Sequence, residues 1–382
     1  MKIDPYNHKE RYLTWKEKVK DGIPELSKSN SIIILHFLDN MENGINIANG
    51  SKKGGRSYIR LNSLKERLIF MAKLIKNKFN VDLLNISEEQ LITFFTEMRN
   101  GKLTKSNGEN YKSVADYVKI FKTFWHWHIK ASRKLKKQVE DITVDLDTKQ
   151  EKPAWVYLTE QEIYKLCNHA KYEYKVLIMF LFDTGIRAPT ELINIKVSDL
   201  YFDKDTELNI REEISKTFGR RIKLMLCSDA LKDYIKNKNL TKEDYLFPIC
   251  PSVVNRYLNR LGERVLGDKQ SPARQRYSEL TMYDFRHNSC CYWLPRYKSE
   301  SALKYRFGWK GSDKIHYYSE LLGMKDTISE EDLFISSSKT EVDKKLEKSE
   351  RERIILQERI DDMEKQMRKI LDLTNELHKK VD

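Results

Sequence analysis

Two arginines sit inside stretches that are otherwise largely apolar. Arg187 lies in DTGIRAPTELINIKVSDL (183–200) and Arg286 in ELTMYDFRHNSCCYWL (279–294). A guanidinium is always charged and presents a planar fork of donors, so a pair of them can clamp the non-bridging oxygens of a phosphodiester. Charge built on those oxygens during attack at phosphorus would be held without a metal. The sequence contains no P-loop and no acidic pair placed for Mg²⁺. A second basic feature points to the same kind of partner. Residues 51–80 carry nine basic residues against one acidic, with Arg56, Arg60, Lys65 and Arg67 interleaved with Tyr58, Phe70 and Phe79. Such a stripe favours a polyanion, most simply nucleic acid, over a merely solvated helix face. The candidate DNA contacts are Lys52, Lys53, Arg56, Tyr58, Arg60 and Lys65.

A third segment, RFGWKGSDKIHYYSEL (306–321), completes a series. Together and in this order the three segments resemble the catalytic domain of the tyrosine recombinase (phage-type integrase) family, in particular the integrases of archaeal and bacterial mobile elements. That family shows TGxRxxEL, then TxHxLRH, then LGH followed nine residues later by a nucleophilic tyrosine. Here Arg187 follows Thr184-Gly185, and Arg286-His287 follows Thr281 at the family spacing. Phe307-Gly308-Trp309 takes the LGH place, and Tyr318 lies nine residues after Trp309. ISKTFGRRIKL resembles the family's GKGxKxRxVPL and puts Lys216 at the lysine position.

The resemblance covers 156–325 well and 30–130 weakly. It implies that Tyr318 attacks phosphorus to form a covalent 3′-phosphotyrosine and that Lys216 protonates the leaving 5′-oxygen, with no metal, ATP or other cofactor. Three positions depart from the pattern. Tyr283 stands where the family has His or Lys, and it is an uncharged donor, with His287 as partial compensation. Trp309 stands for the His, where its indole can donate and buttress the nucleophile's helix. Glu191 lies four rather than three residues after Arg187, read as a one-residue insertion with Glu191 still orienting the arginines. Tyr317 adjoins Tyr318 and is the alternative nucleophile. Neighbours on a helix point about 100° apart, so one faces the phosphate.

These groups need elements to hold them. The chain has 382 residues, 40% apolar and 33% charged, with a net charge of +13. The excess is concentrated in residues 1–150, at +10. This composition excludes collagen-like, mucin-like and wholly disordered classes. Five cysteines without a CxxC argue against a disulfide framework or zinc site. His126 and His128 read as packing or DNA-facing, and Cys290 and Cys291 as core.

The expected fold is mainly α (α+β). A basic arm spans 1–27, and a helical core-binding domain spans 28–132. That domain's helices begin near Ser31, run over 61–79, start at the Ser87 cap and cover 113–132. A linker spans 133–155. A mixed catalytic domain spans 156–335, with the Thr159–Glu162 capping box and a small antiparallel hairpin turning at 217–219. A coiled-coil helix is expected over 340–382, because apolar positions from Val342 to Val381 recur four and three apart. The family further implies double-stranded DNA as partner and a tetramer on DNA, and the coil offers a possible dimer. No stretch is apolar enough to span a membrane, and MKIDPYNHKERYLTWK lacks a signal core. A cytoplasmic, nucleoid-associated site-specific recombinase is therefore expected. The alternatives are a type IB-like nicking-closing enzyme and a catalytically weakened DNA-binding accessory of a mobile element.

Overall fold

The computed structural model describes residues 2–322, apart from Asn49, Ser106, 150–152 and Lys298. The expected coiled coil over 340–382 lies outside the described residues, as does the end of the expected catalytic domain.

The first half of the chain is all helical: α1 (His8–Lys18), α2 (Lys28–Asn43), α3 (Tyr58–Phe79), α4 (Glu88–Arg99) and α5 (Val114–Lys134). Ser27, Ser57 and Ser87 each cap a helix by accepting a backbone N–H with the side chain, and Ser87 forms the reciprocal capping box with Gln90. Leu61, Leu64, Leu68, Met71 and Ile75 line the buried face of α3 and meet Phe37, Phe94, Phe121, Phe124 and Trp127 in one core.

Two expectations need correction here. Residues 1–27 are not an arm, because Tyr12, Val19 and Ile23 are buried in this core and α1 packs on α3. Part of the expected linker also belongs to the same core. Leu146 is buried there, the indole of Trp125 donates to Glu140 O, and Asp141 receives His126 and Thr143.

The second half has its own core. Its elements are α6 (Glu160–His169), α7 (Tyr172–Thr184), β1 (Leu200–Phe202), β2 (Thr206–Ile210), β3 (Arg220–Lys223), α8 (Ser228–Asn237), α9 (Pro251–Leu266), α10 (Asp284–Trp293), α11 (Glu300–Phe307) and α12 (Asp313–Leu321). Thr159 and Glu162 make the expected capping box. VLIMFLF is apolar all round, so α7 is enclosed, with α6, α8 and α10 packed on it. The sheet is antiparallel in the order β1-β2-β3, with Leu200 opposite Leu208 and Leu208 opposite Ile222 on the buried face. The link between β2 and β3 is longer than the expected turn and runs over 211–219. β1 was not expected, since three residues are too few for a period-2 pattern to register.

One buried ion pair joins the parts around the site. Arg306 on α11 donates to the carboxylate and carbonyl of Asp183 on α7, and it also donates to Lys223 O on β3. The other carboxylate oxygen of Asp183 accepts three consecutive N–H groups, from Met225, Leu226 and Cys227. Removing one member of such a pair leaves a charge in a low-dielectric interior. Arg306→Leu is therefore expected to cost about 3–5 kcal/mol, read as a fall in the denaturant midpoint of the purified chain.

Candidate active site

The site is built where the ends of α7, α10 and α11 meet. α7 stops at Gly185, whose φ of +56° suits glycine, and a Cβ there would collide with Phe307 and Ser289. Arg187 leaves this stop and turns back. Its backbone and guanidinium both donate to Glu191, at 3.2 and 2.6 Å, so the extra residue over 188–190 does not break the pairing. The second Nη of Arg187 donates to Gly308 O at 2.7 Å. Arg286, buried on the first turn of α10, donates to Gly185 O and, at 2.6 Å, to Phe307 O.

Both arginines therefore rest on the last carbonyls of α11, which a helix C-terminus leaves without partners. Gly308 caps α11 with φ +61°, and a Cβ there would lie 3.0–3.2 Å from the side chains of Arg220, Thr217 and Arg187.

A third guanidinium lies beneath. Arg220, 2% exposed, pairs with Glu191 at 2.8 Å and donates to Arg306 O at 2.9 Å. The sequence reading missed it among the charges of GRRIK. The available signal was period-2 alternation, which puts Arg220 and Ile222 on the inward face of β3 and Arg221 and Lys223 outward. Burial pushes the Glu191 carboxyl up, but Arg220 and Arg187 outweigh it and hold it at about 2. Burial and the neighbouring Arg187 and Arg220 bring Arg286 down to about 10.

Tyr318 lies across from Arg286. Its hydroxyl donates to Nδ1 of His287, the residue after Arg286, when the imidazole is neutral with its proton on Nε2. Burial, followed by Arg286 and Lys314, lowers His287 to about 3, so the ring is neutral at pH 7. Burial raises the Tyr318 phenol well above its ordinary value. Trp309 stacks between Phe307 and Tyr318, with ring centroids 4.9 and 6.0 Å apart. Tyr283, 48% exposed, stands at the rim with its ring edge-on to His287. Tyr317 is turned elsewhere, its hydroxyl bonded to Trp155 and Pro153.

Lys216 is exposed on the 211–219 loop. Its neighbours tie that loop to the arginines: Ser215 donates to Glu191 at 3.3 Å, and Thr217 donates to Gly308 O at 2.8 Å. Trp155, Ser215, Thr217 and Arg220 were not singled out by the sequence reading.

The expected DNA contacts lie apart from this site, in the helical half. Lys52 and Lys53 are exposed, and Arg56 and Arg60 are half-buried. Arg60 is lowered by burial and by the convergence of Arg67 and Arg56. Tyr58 packs against Tyr12. Lys65 is a correction. It lies on the buried face of α3, its ammonium held by Asn62 at 3.0 Å, set over the Trp15 ring and 3.9 Å from Glu66, rather than standing out in solvent. Among the described residues no group of three or more His, Cys, Asp or Glu side chains is placed to hold a metal, and no helix is long and apolar enough to cross a membrane.

Residues 156–323 match the model of the phage integrase family. Among solved structures, the chain is similar to the Tn1549 transposon integrase in complex with circular intermediate DNA. The two are 13% identical with a TM-score of 0.52, over 79% of this chain and 97% of that one. It is similar in the same degree to a lambda integrase tetramer bound to a Holliday junction, at 13% identity and a TM-score of 0.52, over 75% of this chain and 80% of that one. A XerA recombinase structure is 19% identical with a TM-score of 0.37, over 70% of this chain and 90% of that one. No curated protein sequence matches the chain. Over that segment the chain matches the phage integrase family and carries its motifs in the family's order.

The Glu191 carboxylate sets a pH signature. Its folded pKa lies below the unfolded value, so the stability it contributes is present above about pH 4.5 and is lost as pH falls toward 2. Glu191→Gln is expected to be less stable than the parent by about 3 kcal/mol at pH 7, with the gap closing below pH 4 in urea titrations repeated across that range.

Proposed function

We propose that this chain is a site-specific recombinase that breaks and rejoins duplex DNA through Tyr318. The observation that carries the reading is the bond from the Tyr318 hydroxyl to a neutral His287 beside the buried Arg286. In the step proposed, the Tyr318 oxygen forms a bond to phosphorus and the bond from phosphorus to the 5′-oxygen breaks. The phenolic proton passes to His287, and Lys216 protonates the departing 5′-oxygen. Arg187 and Arg286 stabilise the charge on the non-bridging oxygens. Tyr283 and Trp309 flank the same phosphate, and Glu191 keeps the guanidinium groups aligned. The 3′-phosphotyrosine conserves the energy of the phosphodiester, so reversal reseals the strand without ATP.

The helical half and the catalytic half form two DNA-binding domains, with Arg56, Arg60 and Arg67 on backbone phosphates. The assembly is a tetramer on two DNA sites, by analogy with the lambda integrase tetramer on a Holliday junction, and the setting is a mobile element, by analogy with the Tn1549 integrase. The chain would act in the cytoplasm on nucleoid DNA.

The test is a pool of nicked duplexes with a randomised core, from which SDS-resistant protein–DNA adducts are recovered. The wild type and Tyr317→Phe are expected to form adducts, the latter more slowly, and Tyr318→Phe none. Adduct formation by Tyr318→Phe would overturn the assignment.

The basic cluster is tested on nonspecific duplex DNA. Arg60→Ala is expected to weaken binding and to lower the slope of log K against log salt by about one, the share of one phosphate contact. Lys65→Met is expected to leave that slope unchanged, because its ammonium faces the core.

A further inference from the structure

Two phenols stand side by side on α12, and helix geometry turns them about 100° apart, so which of the two faces the arginines depends on how the helix is held about its axis. One side chain from the segment between the two cores holds Tyr317 in its present direction. The Trp155 indole N–H donates to the Tyr317 hydroxyl at 2.8 Å, and that hydroxyl in turn donates to Pro153 O at 3.2 Å. A phenol has one proton to donate, so Tyr317 has committed its proton to Pro153 and one of its lone pairs to Trp155.

The indole cannot drift to follow the helix. Trp155 is 2% exposed, its backbone N–H bonds to Ala273 O at 3.1 Å, and its carbonyl accepts from Ser271 at 3.2 Å. The same indole lies face to face with His287, centroids 4.8 Å apart, and edge-on to Tyr318 at 6.2 Å. One ring thus holds the wrong tyrosine by its N–H and supports the partner of the right one by its face.

We propose that Trp155 is a positioning residue that selects Tyr318 over Tyr317 as the nucleophile by tethering Tyr317 to the segment preceding the catalytic domain. This rests on the reading of Tyr318 given above and adds the device that excludes its neighbour.

The experiment uses the full chain and the randomised nicked duplexes. Trapped adducts are digested, and the nucleotide-bearing residue is located by mass spectrometry. Trp155→Phe keeps an aromatic ring in the pocket but removes the N–H together with one ring of the buried indole, so Tyr317→Phe, which removes only a hydroxyl, is read beside it. Trp155→Phe is expected to form adduct about tenfold more slowly and to place a measurable share of it on Tyr317, where the wild type places none. Tyr317→Phe breaks the same bond from the other side and is expected to slow the reaction by a similar factor. The double variant should be no slower than the slower of the single ones, because the bond between Trp155 and Tyr317 is already lost in each.

A wild-type adduct on Tyr317 would overturn the reading of the site itself. A wild-type adduct on Tyr318 with Trp155→Phe equal to wild type in rate and position would overturn the tether alone. Fully additive losses in the double variant, with all adduct still on Tyr318, would overturn it as well.

Discussion

The site depends on one buried carboxylate. Glu191 stands between Arg187 and Arg220, and Arg286 adds a third positive group close enough to be lowered by both. Three guanidinium groups in one low-dielectric pocket would repel each other strongly, and each would lose its hydration. A single carboxylate offsets part of that repulsion and leaves the centre positive, as a phosphate-binding site requires. Glu191 lies deeper than Arg187, on the Arg220 side, so the pocket's balancing charge is inside and its excess charge faces out.

The remaining donors are satisfied by backbone. The end of α11 turns two successive carbonyls, Phe307 and Gly308, onto Arg286, Arg187 and Thr217. A helix C-terminus carries partial negative charge, so these carbonyls suit cations as well as donors. This explains why the glycine of Phe307-Gly308-Trp309 matters to the arginines. Its left-handed conformation ends the helix with those carbonyls facing inward, and the absence of a Cβ lets three side chains close over it. Trp309 follows directly and stacks on Tyr318, so one tripeptide holds both arginines and one face of the proposed nucleophile.

Much of this was legible in the residues, and the rest was hidden for definable reasons. Capping boxes at Ser87 and Thr159 are local, three residues apart, and need no tertiary context. The motif order carried Arg187, Arg286 and Tyr318 because those positions match a family's residues at fixed spacings, and it carried Trp309 by position alone. Lys65 was misread because a charged residue on an amphipathic helix defaults to the solvent face, and only the fold reveals Asn62 and Trp15 waiting for its ammonium. Arg220 was hidden among neighbouring charges, and its partner Glu191 lies 29 residues away. Trp155 looked like the end of a linker. Its role depends on Ala273, His287 and Tyr317, more than a hundred residues further on.

The titration of the Tyr318–His287 pair carries the argument from geometry to reactivity. Burial favours the neutral form of both partners, raising the phenol and lowering the imidazole. Moving the proton across their bond would make a phenolate and an imidazolium in a dry pocket. Arg286 would stabilise the first, and it opposes the second. A phosphodiester seated against Arg187 and Arg286 brings a negative charge that offsets the guanidinium field felt by the imidazolium, while phosphorus takes up the phenolate as it forms. In the proposed reaction, the burial that holds the Tyr318 phenol neutral therefore makes its activation depend on the substrate. The arginines act twice in this scheme, as the clamp on the phosphate and as the charge whose neutralisation lets His287 accept the proton.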